Sequence, residues 1–169
     1  GFIASWHADT IKALSGVELV AICDMSPSAA NALANSYGAS AYTDFDAMIA
    51  QANLDAVHIL TPPDSHRDLT LNSVAAGLHC FVEKPVGISS HEVSDMVDAG
   101  RKAERLIAAG HNFLGLQAYE RLKKATQFGD LGRVSTAEIN WCFPLAPLRS
   151  GPFGLWLLRE PRNLLLELG

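Results

Sequence analysis

The sequence predicts a doubly wound parallel α/β sheet, followed by the start of an α+β domain with an open, largely antiparallel sheet. Three observations predict it. Short apolar runs rich in strand formers alternate with helix patterns four times over in the first part of the chain, which argues for a parallel sheet with helices on both faces. Right-handed crossovers between parallel strands make such a sheet doubly wound. After about residue 115 the alternation stops, and a long stretch of period two follows, which suits antiparallel pairing and not a strand–helix–strand unit.

Each element has its own signal. Gly1-Phe2-Ile3-Ala4 leads into a helical pattern running to about Leu14, with Gly16 as its stop. Val17 to Cys23 is a strand ending at Asp24. Ser26-Pro27 reads as an N-cap with proline at the first helical position. Ala30, Leu33, Ala34 and Tyr37 form the inner stripe of that helix, and Gly38 ends it. Thr43-Asp44-Phe45-Asp46 resembles a capping box before a short helix to about Ala50. Leu54 to Leu60 is a third strand, stopped by Thr61-Pro62-Pro63 because proline cannot continue a central ladder.

Asp64 is expected to cap a helix from about Ser65 to Ala76, ended by Gly77. His79 to Val82 is the next strand, and Ser89-Ser90-His91-Glu92 is a capping box. Val93, Met96, Val97 and Gly100 give the inner stripe behind it, and Leu106 to Ala109 is a further short strand. A helix from about Leu116 to Phe128 opens the second part, and Gly129-Asp130-Leu131-Gly132 turns the chain. Arg133 to Phe143 reads as a half-buried antiparallel strand, and Pro144 to Pro161 as a loop over a site or interface. The expected domains are 1–115 and 116–169, with the change near residues 112 to 118. The start at Gly1 and the apolar run Leu164 to Gly169 lead us to expect an internal piece of a longer protein.

Composition sets bounds on function. Lys and Arg number 13 against 18 acids, a net charge of −5, which argues against nucleic acid or an anionic membrane as the main partner. Cys23, Cys80 and Cys142 stand apart in apolar runs, as reduced core cysteines of a cytoplasmic protein do. None makes a C-x-x-C pair, so no structural zinc site is expected. His58, His79 and His111 lie in or beside strands without metal-ligand spacing.

The chemistry concentrates at strand ends. In an open parallel sheet, ligands sit outside the carboxyl ends of the strands. Phe81-Val82-Glu83-Lys84-Pro85-Val86 is a buried strand that breaks into an acid, a base and a proline at that edge. Lys84 there offers a cation and a proton donor or acceptor; the other reading is a strand end that turns into solvent with two ordinary surface charges. Gly1-Phe2-Ile3-Ala4 fits the second half of the glycine motif that brings backbone to a pyrophosphate at a helix N-terminus. Asp24 stands about 20 residues on, where a ribose 2′-hydroxyl is held and a 2′-phosphate is repelled. Its other reading is a turn or capping acid. Thr61-Pro62-Pro63 occupies the ligand edge of the third strand, and His66 follows as a possible ligand contact. The run Asp64-Ser65-His66 is not a triad, because triad members converge from separate places.

With Thr61-Pro62-Pro63 before His66, and with Glu83-Lys84-Pro85, the chain resembles the glucose–fructose oxidoreductase, inositol dehydrogenase and MocA family. Gly77 to Pro85, Gly110-His111-Asn112-Phe113 and Gly129 to Val134 fall in the order that this family shows. The resemblance implies a Rossmann domain binding NAD(P), with Gly1, Phe2, Ile3, Asp24, Thr61, Pro62, Pro63, His66, Glu83, Lys84 and Asn112 on the cofactor side; Asp24, followed by Met25 and Ser26 and not by an arginine, favours NAD over NADP. It implies Lys84 and Glu167 as catalytic groups, with Glu167 where the family carries an aspartate ahead of a histidine. Glu167 for Asp and Leu114 where many members carry arginine are departures from the pattern. The implied activity is hydride transfer between a sugar or cyclitol alcohol and nicotinamide, in a full-length homo-oligomer built through the second domain's sheet. A glycoside hydrolase that uses NAD transiently, or a non-catalytic binding protein of the same fold, are the alternatives.

Overall fold

The computed structural model describes residues 2–138, 140, 142 and 160. The chain divides into two compact units, Gly1–Ala109 and Gly110–Gly169. In the first, α1 (Phe2–Ala13) precedes β1 (Ala21–Cys23), α2 (Pro27–Tyr37), β2 (Ser40–Tyr42), α3 (Phe45–Gln51), β3 (Ala56–Ile59), α4 (His66–Ala75), β4 (His79–Glu83), α5 (Ser90–Ala103) and β5 (Ile107–Gly110). The second unit holds α6 (Gln117–Gln127), after a 3₁₀ turn over Asn112–Gly115.

β1 pairs in parallel with β2, and β3 in parallel with β4, with β5 on the far side of β4. The α/β class and the parallel pairing hold. β1 and β3 are not bonded to each other, so the described strands form a two-stranded and a three-stranded sheet. In a doubly wound sheet of order 3-2-1-4-5-6, one strand stands between the two groups that these correspond to; among the described residues none stands there.

Local chemistry explains most of the boundaries. Ser26 caps α2 by accepting the Ala29 N–H at 3.4 Å, and Gly38 closes the helix in the left-handed region at φ 73°, where a side chain is costly. Ala30 and Ala34 are buried on its inner stripe. Ser89 accepts the Glu92 N–H at 3.2 Å, and Glu92 Oε2 accepts the Ile88 N–H at 2.9 Å, so the box closes one residue early.

Several expectations need correction. β1 and β3 are shorter than their apolar runs, because ladder bonds and not hydrophobicity set their ends, whereas β4 runs one residue further, to Glu83, and β5 is shifted by one residue. β2 is an additional strand; Ser40 and Ala41 are exposed, so no apolar run announces it. Asp44, not Thr43, caps α3, accepting the Ala47 N–H at 2.7 Å. Asp64 caps nothing: Pro63–Ser65 is a 3₁₀ turn, and α4 starts at His66 with no side-chain cap. Val97 is 38% exposed, whereas Met96 and Gly100 of the same stripe are buried. A methyl on Gly100 would stand 2.9 Å from Ile107 Cδ1, which shows how closely α5 approaches β5. In the second unit, Arg133–Glu138, Asn140 and Cys142 are exposed and lie in no strand; no ladder partner meets them among the described residues. The rest of the expected strand and the loop from Pro144 lie outside the described residues, Glu160 excepted. Cys142 is exposed, so it is not a core cysteine.

The core of the first unit joins Met48, Val57, Ile59, Val74, Leu78, Cys80 and Val82. Fully burying a valine or isoleucine contributes about 1.5–3 kcal/mol, so the facing pairs Val57–Cys80 and Ile59–Val82 fix the β3–β4 register. No described helix is long and apolar enough to cross a membrane.

Candidate active site

Strand alternation decides which side chains reach which face. In β4, Cys80 and Val82 enter the core, leaving His79, Phe81 and Glu83 on the other face. In β3, Val57 and Ile59 enter the core, and His58 takes the other face. His58 and Phe81 are register partners, and their rings stack at 4.9 Å and 19°. His7 of α1 closes the group, edge-on to Phe81 at 5.3 Å and 65°.

Hydrogen bonds order this cluster. His7 Nε2 lies 3.2 Å from Glu83 Oε1, and His7 Nδ1 lies 2.9 Å from His58 Nδ1. A carboxylate only accepts, so His7 carries a proton on Nε2. Partial burial, and then the neighbouring His7, push the His58 imidazole below its ordinary pKa. The second Glu83 oxygen accepts the Lys84 N–H at 2.9 Å. Glu83 therefore ties α1 to the backbone that presents Lys84.

The exits of β3 and β4 lie side by side. Ile59 faces Val82 in the register, and two residues beyond them stand Thr61 and Lys84. Thr61 and Pro62 are exposed, Pro63 is buried and Lys84 is half-buried. Ser65 Oγ lies 2.7 Å from Thr61 Oγ1 and 2.8 Å from the Pro62 carbonyl. The Lys84–Pro85 peptide is cis. Beyond it the chain passes Gly87, where a Cβ would stand 3.2 Å from Val93 Cγ2 and 3.3 Å from Glu92 Oε2. Glycine thus lets this turn rest on the start of α5.

His66 has a different role from the ligand contact expected of it. It is fully buried. Its Nδ1 meets the Pro85 carbonyl at 3.0 Å and its Nε2 the Thr61 carbonyl at 2.8 Å. Both ring nitrogens are taken by protein, so neither is offered to a ligand.

The other sequence candidates divide. Asp24 follows β1 directly, and its Oδ1 accepts the Ser26 N–H at 2.9 Å; the turn role is present, and it sets the carboxylate's direction. Ile3 is half-buried at the start of α1. Phe2 is the first helical residue, while Gly1 and Glu167 lie outside the described residues. Asn112 is exposed and belongs to the second unit. The structure thus brings together Thr61, Pro62, Pro63, His66, Glu83 and Lys84. Among the described residues, no group of three or more His, Cys, Asp and Glu is placed to hold a metal ion. Burial, then Asp44 and Asp24, push the Cys23 thiol up, and burial outweighs the Ser73 hydrogen bond to raise that of Cys80. Neither thiol is activated as a nucleophile.

Sequence reasoning missed His7. The signal was its place on α1: Ile3, His7, Ala8 and Ile11 share a stripe, on which Ala8 is buried and the others half-buried. A histidine on such an inward stripe needs polar partners, and Glu83 and His58 supply them.

The residues present fit a dinucleotide. A helix N-terminus at Phe2 suits a pyrophosphate, a carboxylate after β1 suits ribose hydroxyls, and the paired strand exits offer polar groups to a reacting centre.

Comparisons with known proteins agree. Residues 1–111 match the family model described as an oxidoreductase family with an NAD-binding Rossmann fold. Inositol 2-dehydrogenase of Rhizobium meliloti (strain 1021) is 33% identical over 87% of this chain and 44% of its own length. 1,5-Anhydro-D-fructose reductase of Ensifer adhaerens is 29% identical over 92% of this chain and 46% of its own length. The WlbA dehydrogenase of Bordetella pertussis, solved with NADH and UDP-GlcNAcA, superposes with a TM-score of 0.75 at 30% identity, covering 79% of this chain and 39% of that one. The chain thus spans less than half the length of these relatives. With a matching model over its first 111 residues and the paired strand exits in place, the chain belongs to the glucose–fructose oxidoreductase, inositol dehydrogenase and MocA family of oxidoreductases, with an NAD-binding Rossmann fold.

Proposed function

We propose that the full-length protein is an NAD-dependent oxidoreductase that moves a hydride between nicotinamide and a secondary alcohol of a sugar or cyclitol. The observation that carries this reading is the adjacency of the Thr61 and Lys84 exits, with Glu83 holding the Lys84 amide at 2.9 Å. The relatives named above act on an inositol and an anhydrohexose, and they support the substrate class.

In this reading Gly1, Phe2 and Ile3 receive the pyrophosphate, and Asp24 holds the ribose hydroxyls, which favours NAD over NADP. Thr61, Pro62, Pro63 and Asn112 line the cofactor. Bound NAD supplies the hydride acceptor. Lys84 donates a hydrogen bond to the alcohol oxygen, where negative charge develops as its proton leaves. Glu167 takes that proton. Residues 1–115 are the cofactor domain, and 116–169 begins the substrate and subunit-contact domain of a cytoplasmic homo-oligomer.

The test is reduced nicotinamide in solution. The full-length protein, given NAD and a panel of inositols and hexose derivatives, is expected to accumulate NADH in step with ketone product. Turnover of a glycoside without free NADH would replace this reading by transient oxidation on a retained cofactor.

A further inference from the structure

His66 is buried to 0% exposure, yet it faces two acceptors. The Pro85 carbonyl lies 3.0 Å from Nδ1 and the Thr61 carbonyl 2.8 Å from Nε2. Backbone carbonyls only accept, and a neutral imidazole has one N–H and one lone pair. The neutral ring therefore satisfies one carbonyl and sets its lone pair against the other. The doubly protonated ring satisfies both through charge-assisted bonds, which are the shorter and stronger ones and must offset the cost of holding the charge out of water. Neither partner is a carboxylate. Beside the ring on α4, Arg67 is taken by Asp95 of α5 and by Asp68.

The two acceptors belong to different strand exits. Thr61 lies just beyond β3, and Pro85 follows Lys84 out of β4. Thr61 and Lys84 each precede a proline, which narrows their backbone torsions without fixing them, and the β3–β4 register ends at Ile59 and Val82. Past that point the His66 ring joins the two exits.

We propose that His66 is a positioning residue for hydride transfer: its two ring N–H groups clamp the Thr61 and Pro85 carbonyls and so set where Lys84 meets the substrate hydroxyl. This rests on the reading of that edge as a hydride-transfer site. It assigns His66 no contact with cofactor or substrate. Glu83 fixes the Lys84 amide from the α1 side of the sheet, and His66 fixes the peptide that follows from α4.

The test uses full-length protein with isotope-labelled histidine, together with H66Q and H66L. The wild-type ring, assigned by its loss in H66Q, is expected to show a proton coupled to each nitrogen; a proton on one nitrogen alone overturns the clamp. H66L is expected to lose about 10²-fold in kcat, the scale of an ångström of misplacement, with NAD affinity close to wild type. H66Q, which can donate to one carbonyl, is expected to fall between the two. A merely structural histidine lowers the melting temperature and leaves kcat of the folded enzyme unchanged; that result in H66Q overturns the proposal even where H66L does not fold. A wild-type enzyme that oxidises no polyol overturns the function proposed above, and the positioning role with it, while the ring spectrum still decides whether the clamp exists.

Discussion

Glu83 divides its carboxylate between two elements: Oε1 lies 3.2 Å from His7 Nε2 of α1, and Oε2 accepts the N–H of Lys84 at 2.9 Å. The acid of the Glu-Lys-Pro motif is therefore an anchor, and its side chain is only 16% exposed. Glu83→Ala leaves a part-buried N–H and His7 without their acceptor, at a cost of about 1–3 kcal/mol in stability. The freed Lys84 turn then costs about 10²-fold in kcat. Glu83→Gln costs less on both counts, since the amide oxygen can still accept the Lys84 N–H, and the NH₂ can donate to His7 Nε2 once the ring proton moves to Nδ1. Denaturant melts and steady-state kinetics of both variants check the order; an alanine variant as stable and active as wild type would contradict it.

The His58 imidazole predicts a pH dependence. Its folded pKa lies below the ordinary value of 6.5, chiefly through burial and then through His7. The unfolded chain therefore binds this proton first as pH falls, and the group favours folding only above the unfolded value. Stability is expected to decline as pH drops below about 6.5. In His58→Phe, which keeps a ring against Phe81, that part of the slope is expected to vanish. Melting temperatures of the two proteins between neutral and mildly acid pH provide the comparison.

Thr70 on α4 is fully buried, and its Oγ1 has no hydrogen-bond partner among the described residues. Thr70→Val keeps the shape and removes the buried hydroxyl, and is expected to raise stability by about 1 kcal/mol. Chemical denaturation measures it. A loss of stability would show that the hydroxyl has a partner, such as a bound water.

How far these features were legible follows from their range along the chain. Ser26, Ser89 and Gly38 act within one helical turn, and their neighbours in sequence identify them. The exits at Thr61 and Lys84 were legible because proline after an apolar run marks a strand end. Asp64 was misread for the same local reason: an acid before a helix pattern looks like a cap, but Pro62 and Pro63 start a 3₁₀ turn that moves the helix start to His66. The bonds that make the site are long-range. His7 reaches Glu83 across 76 residues and His66 reaches Pro85 across 19, so no local pattern encodes either. β2 was hidden because a three-residue, mostly exposed strand has no hydrophobic period.

Lys84 carries the central claim, and one comparison tests it most directly: NAD binding and NADH formation by full-length wild type and Lys84→Ala, with the best polyol from the substrate panel. The account predicts that the variant stays folded, binds NAD close to the wild-type affinity, and loses about 10²-fold or more in kcat as the hydrogen bond to the developing alkoxide is removed. Wild-type kcat in Lys84→Ala, or a wild-type protein that does not bind NAD, would contradict it.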